Sequence, residues 1–180
     1  MITQSNDATI GTRPRDDVQG VPNFAQISPG LFRGAQPTRE GFKTLRAMGI
    51  KTVVSLRAYH TDRHRVRGTG LKYVHLFCRA WLPRDHQVAA FLKIVADPAN
   101  QPVFVHCQHG ADRTGCMVAA YRITVQGWTR QAAAAELKHF GYHKIFPQIR
   151  RYLKRFDLTL AASSKATMPP TPDPTAKASR

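Results

Sequence analysis

The chain's 180 residues are enough for one domain with its own core and too few for two comfortable ones. An apolar content of 42% is ordinary for a soluble protein, and no apolar run approaches the ~20 residues that span a bilayer. The net charge of +16 is unusual, and residues 23–160 carry most of it, with 22 basic against 7 acidic groups, or +15. The charge therefore surrounds the folded part and suits anionic partners: phosphoesters, nucleic acid or acidic lipid.

Met1 to Gly20 is polar and lacks the apolar core of an export signal. Three cysteines, Cys78, Cys107 and Cys116, have neither zinc-ligand spacing nor a disulfide-rich pattern. A reducing, cytoplasmic location is expected; a leader trimmed from the chain is the open alternative. Residues 1–22 read as a disordered segment, 23–160 as the folded domain, and 161–180, rich in Ser, Ala, Thr and Pro, as a disordered tail.

Asn23 to Ile27 and Leu31 to Gly34 read as two short strands around Ser28-Pro29-Gly30. Thr38 is a plausible N-cap for a helix with Phe42, Leu45 and Met48 as its apolar stripe, ended by Gly49. Lys51 to Arg57 is a buried strand. Ala58 to Gly70 holds His60, Arg63, His64, Arg65 and Arg67 with a single acid, Asp62, and reads as an exposed basic loop. Leu71 to Phe77 alternates as a half-covered strand does. Arg79 to Asp85 is a loop, Asp85 a candidate N-cap, and His86 to about Ala96 a helix. After the central strand and its loop come helices over 114–126, from Thr129, and from Ile145 to Leu160. Strands alternating with helices indicate an α/β domain, a small mixed sheet flanked by helices.

The chain is organised around Val103-Phe104-Val105-His106-Cys107-Gln108-His109-Gly110-Ala111-Asp112-Arg113-Thr114-Gly115. A β-branched run fires through a short polar loop into a helix, so the loop's N–H groups and the positive helix end converge on a site for a phosphate-like dianion. Gln108, His109, Gly110, Ala111, Asp112 and Arg113 are its candidate phosphate-binding residues. Cys107 opens the loop where that positive field favours the nucleophilic thiolate, and Arg113 can fork onto two phosphate oxygens. Gly110 lets the backbone turn where a Cβ would obstruct it. Thr114 can donate a hydroxyl bond to the sulfur as it leaves. His106 lies on the strand; it either activates Cys107 as a base or faces inward and bonds the loop backbone.

His-Cys-x5-Arg-Thr-Gly resembles the phosphate-binding loop of the cysteine-dependent protein tyrosine and dual-specificity phosphatases. Pro83-x-Asp85, a helix, then Gln101-Pro102 leading into the loop is similar in spacing to the atypical dual-specificity phosphatases of plants and fungi. Asn23 to Pro37, Ser28-Pro29-Gly30-Leu31-Phe32-Arg33-Gly34-Ala35-Gln36-Pro37 included, also resembles that group and its bacterial relatives, so the likeness covers about residues 23–157. The resemblance implies a mostly parallel sheet with the phosphatase-type loop after its central strand, a cysteinyl-phosphate intermediate, and no metal or other cofactor. A thiolate that attacks phosphorus must expel an alkoxide or phenoxide, and an acid that protonates it contributes about 10²–10⁴-fold. Asp85, 22 residues before Cys107, is the favoured candidate. Asp112 is the second, since lipid-directed relatives such as the myotubularins carry an Asp in this loop; it can instead hold a neighbouring loop.

The expected function is hydrolysis of phosphate monoesters of the phosphotyrosine or dual-specificity type. The expected partner is a phosphorylated protein or a small polyanion; the alternative substrate, an inositol phosphate or phosphoinositide, uses the same site. A sulfurtransferase is a remote alternative, opposed by Arg113-Thr114-Gly115 and Asp85. A polyanion-binding module is another, but no helix-turn-helix, zinc or RNA-binding signature accompanies the charge, so no specific nucleic acid is expected.

Overall fold

A computed structural model describes residues 12–79 and 83–156. Five strands form one sheet in the order β1-β2-β5-β3-β4: β1 (Ala25–Ser28), β2 (Leu31–Gly34), β3 (Thr52–Ser55), β4 (Lys72–His75) and β5 (Val103–His106). β1 and β2 pair antiparallel across Pro29-Gly30, and every other pairing is parallel, which makes the sheet mixed and mostly parallel as expected.

β5 is central because its residues can be buried on both faces. All four are buried, and their alternation assigns them to two cores. Phe104 joins Phe42, Leu45, Val53 and Val66 on the side of α1 (Arg39–Ala47) and the short α2 (Arg63–Val66). Val103 and Val105 face the larger core built by α3 (Asp85–Ala96), α4 (Asp112–Thr124), α5 (Arg130–Glu136) and α6 (Pro147–Lys154). Thr38 caps α1, its side chain accepting from the Gly41 N–H, and Thr129 caps α5 through the Ala132 N–H. Register puts His106 level with Gly34 on one side and Ser55 on the other, so the loop after β5 emerges at the carboxyl edge between two neighbours.

Three expectations need correction. The folded part begins by Thr12 and not at residue 23: Arg15 exchanges backbone hydrogen bonds with Phe24, Val21 is fully buried, and the Thr12 N–H donates to Glu136. Polar composition hid this because Thr12 serves a buried ion pair, Arg122 with Glu136 at 2.7 Å, and not an apolar core. The stretch 58–70 is not an open loop; α2 forms within it, with Val66 in the core and Asp62 fully buried. Asp85 does not cap α3 but is its first residue, while Gln87 Oε1 accepts from the Arg84 N–H. The remainder of the predicted N-terminal segment, residues 80–82 of the loop before α3, and everything after Phe156 lie outside the described residues.

Candidate active site

From Cys107 to Arg113 the chain leaves β5 and turns into α4. None of the N–H groups of Gln108, His109, Gly110 and Ala111 finds a protein acceptor among the described residues, which leaves donors beside the start of α4. The cysteine is buried at the foot of this cradle, and Arg113 stands in the first turn of α4. Arg113 Nη1 donates to the Leu56 carbonyl at 3.3 Å, while its Nε is buried without a partner. Thr114 Oγ1 is likewise buried and unpartnered, so its bond to the Cys107 sulfur is not made in this structure.

The cradle is closed from below. Gly110 has φ +69°, and a Cβ there would stand 2.6 Å from the Gly34 carbonyl carbon and oxygen, so both conformation and space require glycine. The Gln36 N–H donates to the Gln108 carbonyl at 3.0 Å. Arg33 Nη2 donates to the Gly110 carbonyl at 2.5 Å, and its guanidinium lies 3.6 Å over the Phe140 ring. Burial pushes the Arg33 guanidinium down to about 10, opposed by Glu136 and Cys107, so it stays charged at neutral pH directly beneath the loop.

His106 turns away from the loop. Its Nδ1 lies 3.0 Å from the Cys107 carbonyl oxygen, and its ring stacks on Phe104 within the α1-side core. Burial pushes it down to about 4, with the Cys107 carbonyl and Asp62 opposing. Asp62 accepts from Gln36 Nε2 at 2.7 Å and stands 3.5 Å from His106 Nε2, 3.5 Å from His60 and 3.6 Å from Arg65. Gln36 Oε1 in turn accepts from Arg57 at 3.1 Å. A buried carboxylate thus links Gln36, His106 and Arg57 around the base of the loop.

Asp112 is buried, and both of its oxygens are engaged by one residue: Oδ1 accepts the His143 N–H at 2.9 Å, and Oδ2 lies 2.8 Å from His143 Nδ1. It ties the loop to the segment before α6. His109 is exposed at the rim, its ring 5.3 Å from that of His143. Asp85 is exposed on the first turn of α3 and faces α6, where burial and the Asp85 carboxylate hold the Tyr152 phenol above its ordinary value. Cys78 and Cys116 are both buried, and burial raises both thiols, Cys78 to about 12.

The basic stretch divides. Arg57 stays at the loop, whereas Arg65 and Arg67 join Arg39, Lys43 and Arg46 along a separate groove of about 540 Å³ between α1 and α2. Sequence reasoning missed Arg33, Gln36, Asp62 and His143. Arg33 carried a signal, a cation in phase with inward-facing Leu31 on a two-residue period, and Asp62 another, a lone acid among five basic residues and histidines. His143 carried none.

The family profile described as "DSP-PTPase phosphatase fused to NAD+ Kinase" matches residues 19–148, most of the chain. The chain belongs to the dual-specificity phosphatase family. Dual specificity protein phosphatase TpbA of Pseudomonas aeruginosa is 36% identical over 138 residues, covering 74% of this chain. The chain spans 63% of that protein's length. Inositol diphosphatase DSP2 of Oryza sativa subsp. japonica is 30% identical over 145 residues, covering 75% of this chain and 70% of that protein. A crystal structure of P. aeruginosa TpbA in complex with pTyr matches with a TM-score of 0.74 at 28% identity, covering 89% of this chain and 99% of that one. The chain thus has the fold and the loop of a family of phosphate-ester hydrolases. No helix among the described residues is long and apolar enough to cross a membrane.

Proposed function

We propose that the protein hydrolyses phosphate monoesters through a cysteinyl-phosphate formed on Cys107. The observation that carries this is the set of N–H donors from Gln108 to Ala111 that find no protein acceptor among the described residues, closed over Arg33 with Cys107 at its foot and Arg113 at its side. The Cys107 thiolate attacks phosphorus while the bond to the leaving oxygen breaks, and the Asp85 carboxylic acid gives that oxygen its proton. Water then attacks the cysteinyl-phosphate, Asp85 takes the water's proton, and the thiolate leaves with inorganic phosphate as the product. The loop N–H groups and Arg113 stabilise the trigonal phosphoryl group in both steps. Asp112 is the poorer acid because His143 engages both of its oxygens.

Phosphotyrosine is the first substrate reading, supported by the likeness to a phosphatase solved with pTyr. Inositol phosphates or diphosphates are the second, supported by the rice relative and by Arg57, a cation held beside the loop by Gln36. Three free cysteines support a reducing, cytoplasmic site of action. Turnover of p-nitrophenyl phosphate with a chelator present tests the reaction. A panel of phosphopeptides, phosphoinositides and inositol polyphosphates assigns the substrate, and failure of every member to turn over would refute the proposal.

A further inference from the structure

His109, Asp112 and His143 bring a ring nitrogen each and a carboxylate oxygen within 4.8 Å of one another. They come from two separate segments, the phosphate-binding loop and the stretch before α6, and they meet at the rim of the loop. We propose that this trio binds a divalent cation of the zinc class, and that the bound ion inhibits the phosphatase.

Two imidazoles and one carboxylate are ligands that zinc accepts, at about 2.0–2.2 Å each, with a fourth position left for water. Ligand atoms around such an ion stand roughly 3.3 Å apart. Asp112 Oδ2 and His143 Nδ1 already meet at 2.8 Å, so they need only open slightly around the ion. His109 must swing inward, and it is free to do so: it is exposed, and its ring makes no hydrogen bond among the described residues. The outer shell is also in place. Asp112 Oδ1 is held by the His143 N–H at 2.9 Å, which orients Oδ2 toward the ion.

Position makes the ion inhibitory. His109 lies between Cys107 and Arg113 in the chain, and Asp112 directly precedes Arg113. An ion coordinated by both locks the loop to the segment around His143 and closes its mouth, where the leaving group must depart. Cys107 is not among the ligands. Binding is therefore independent of the catalytic reading above, and only the inhibition rests on it.

The test uses the full chain carrying Cys107→Ser, titrated calorimetrically with zinc chloride and, separately, loaded with cobalt(II) for its absorption spectrum. One ion per chain is expected, with cobalt bands of a nitrogen and oxygen site and no thiolate charge-transfer band. Affinity should fall at least about tenfold in His143→Ala and in His109→Ala. The second variant removes only an exposed ring, so its folding is not in question. In wild-type enzyme, zinc at the same concentration should suppress p-nitrophenyl phosphate turnover, and a chelator should restore it. Binding that disappears with Cys107→Ser, or that survives both histidine substitutions, overturns the proposal. Zinc binding without any loss of turnover overturns its inhibitory half and leaves the site.

Discussion

Arg33 and Gly110 are joined through the floor of the active site, the fully buried guanidinium donating to the loop carbonyl at 2.5 Å. The loop is thus held by a charge that also adds to the positive potential around its free N–H groups. A desolvated cation is expensive to keep, and a hydrophobe of similar shape often matches its stability. Arg33→Met should therefore lower kcat/KM for p-nitrophenyl phosphate by about tenfold or more. Its melting temperature should stay within a few degrees, because relief of desolvation offsets the orphaned carbonyl. Full activity in this variant would remove Arg33 from the account.

Gly110→Ala meets two obstacles at once, a φ of +69° and a backbone 2.6 Å from the new methyl. The loop cannot keep its shape over Gly34 and Ala35. Turnover should fall by roughly 10²-fold, and vanadate should lose competitive inhibition in parallel, since both need the same N–H array. Vanadate binding unchanged from wild type would show that the contact is tolerated.

Much of this site was legible beforehand, and the reason is chemical. Cys107, Gly110 and Arg113 are residues whose spacing alone places them in one loop, and the apolar run before Cys107 marked that loop as the link from a strand to a helix. The supporting shell was less legible because long-range geometry makes it. Asp62 looked like a solvated acid among cations, yet it is fully buried by tertiary contacts from Gln36 and His106 that no local pattern encodes. Thr12 looked like part of a polar tail and completes the Arg122–Glu136 pair 110 residues away in sequence. His143 meets Asp112 only because the chain turns back after α5.

The two acids separate by leaving group. Asp85→Asn should reduce kcat strongly toward alkyl phosphates and much less toward p-nitrophenyl phosphate, whose nitrophenolate leaves without help. Asp112→Asn should weaken the tie to His143 and act about equally on both substrates. The opposite pattern, leaving-group dependence in Asp112→Asn alone, would transfer the acid's role to Asp112.

His106 gives the fold an acid limit. Its native state accepts a proton only near pH 4, whereas the unfolded chain accepts one near pH 6.5. Between these values the unfolded state binds more protons, so stability falls as pH is lowered through that window and is fully present above it. Melting temperature should drop from pH 6.5 to 4.5, and His106→Gln should flatten the drop. An identical slope in the variant would assign the acid sensitivity elsewhere.

Rapid acid quenching of wild-type enzyme during turnover, followed by mass analysis of the peptide that contains Cys107, tests the mechanism most directly. A phosphoryl group should appear on that cysteine within the first turnover, accumulate further in Asp85→Asn, and be absent from Cys107→Ser, which should still bind vanadate. Full turnover in Cys107→Ser, or a phosphoryl group carried by another residue, would contradict the covalent mechanism.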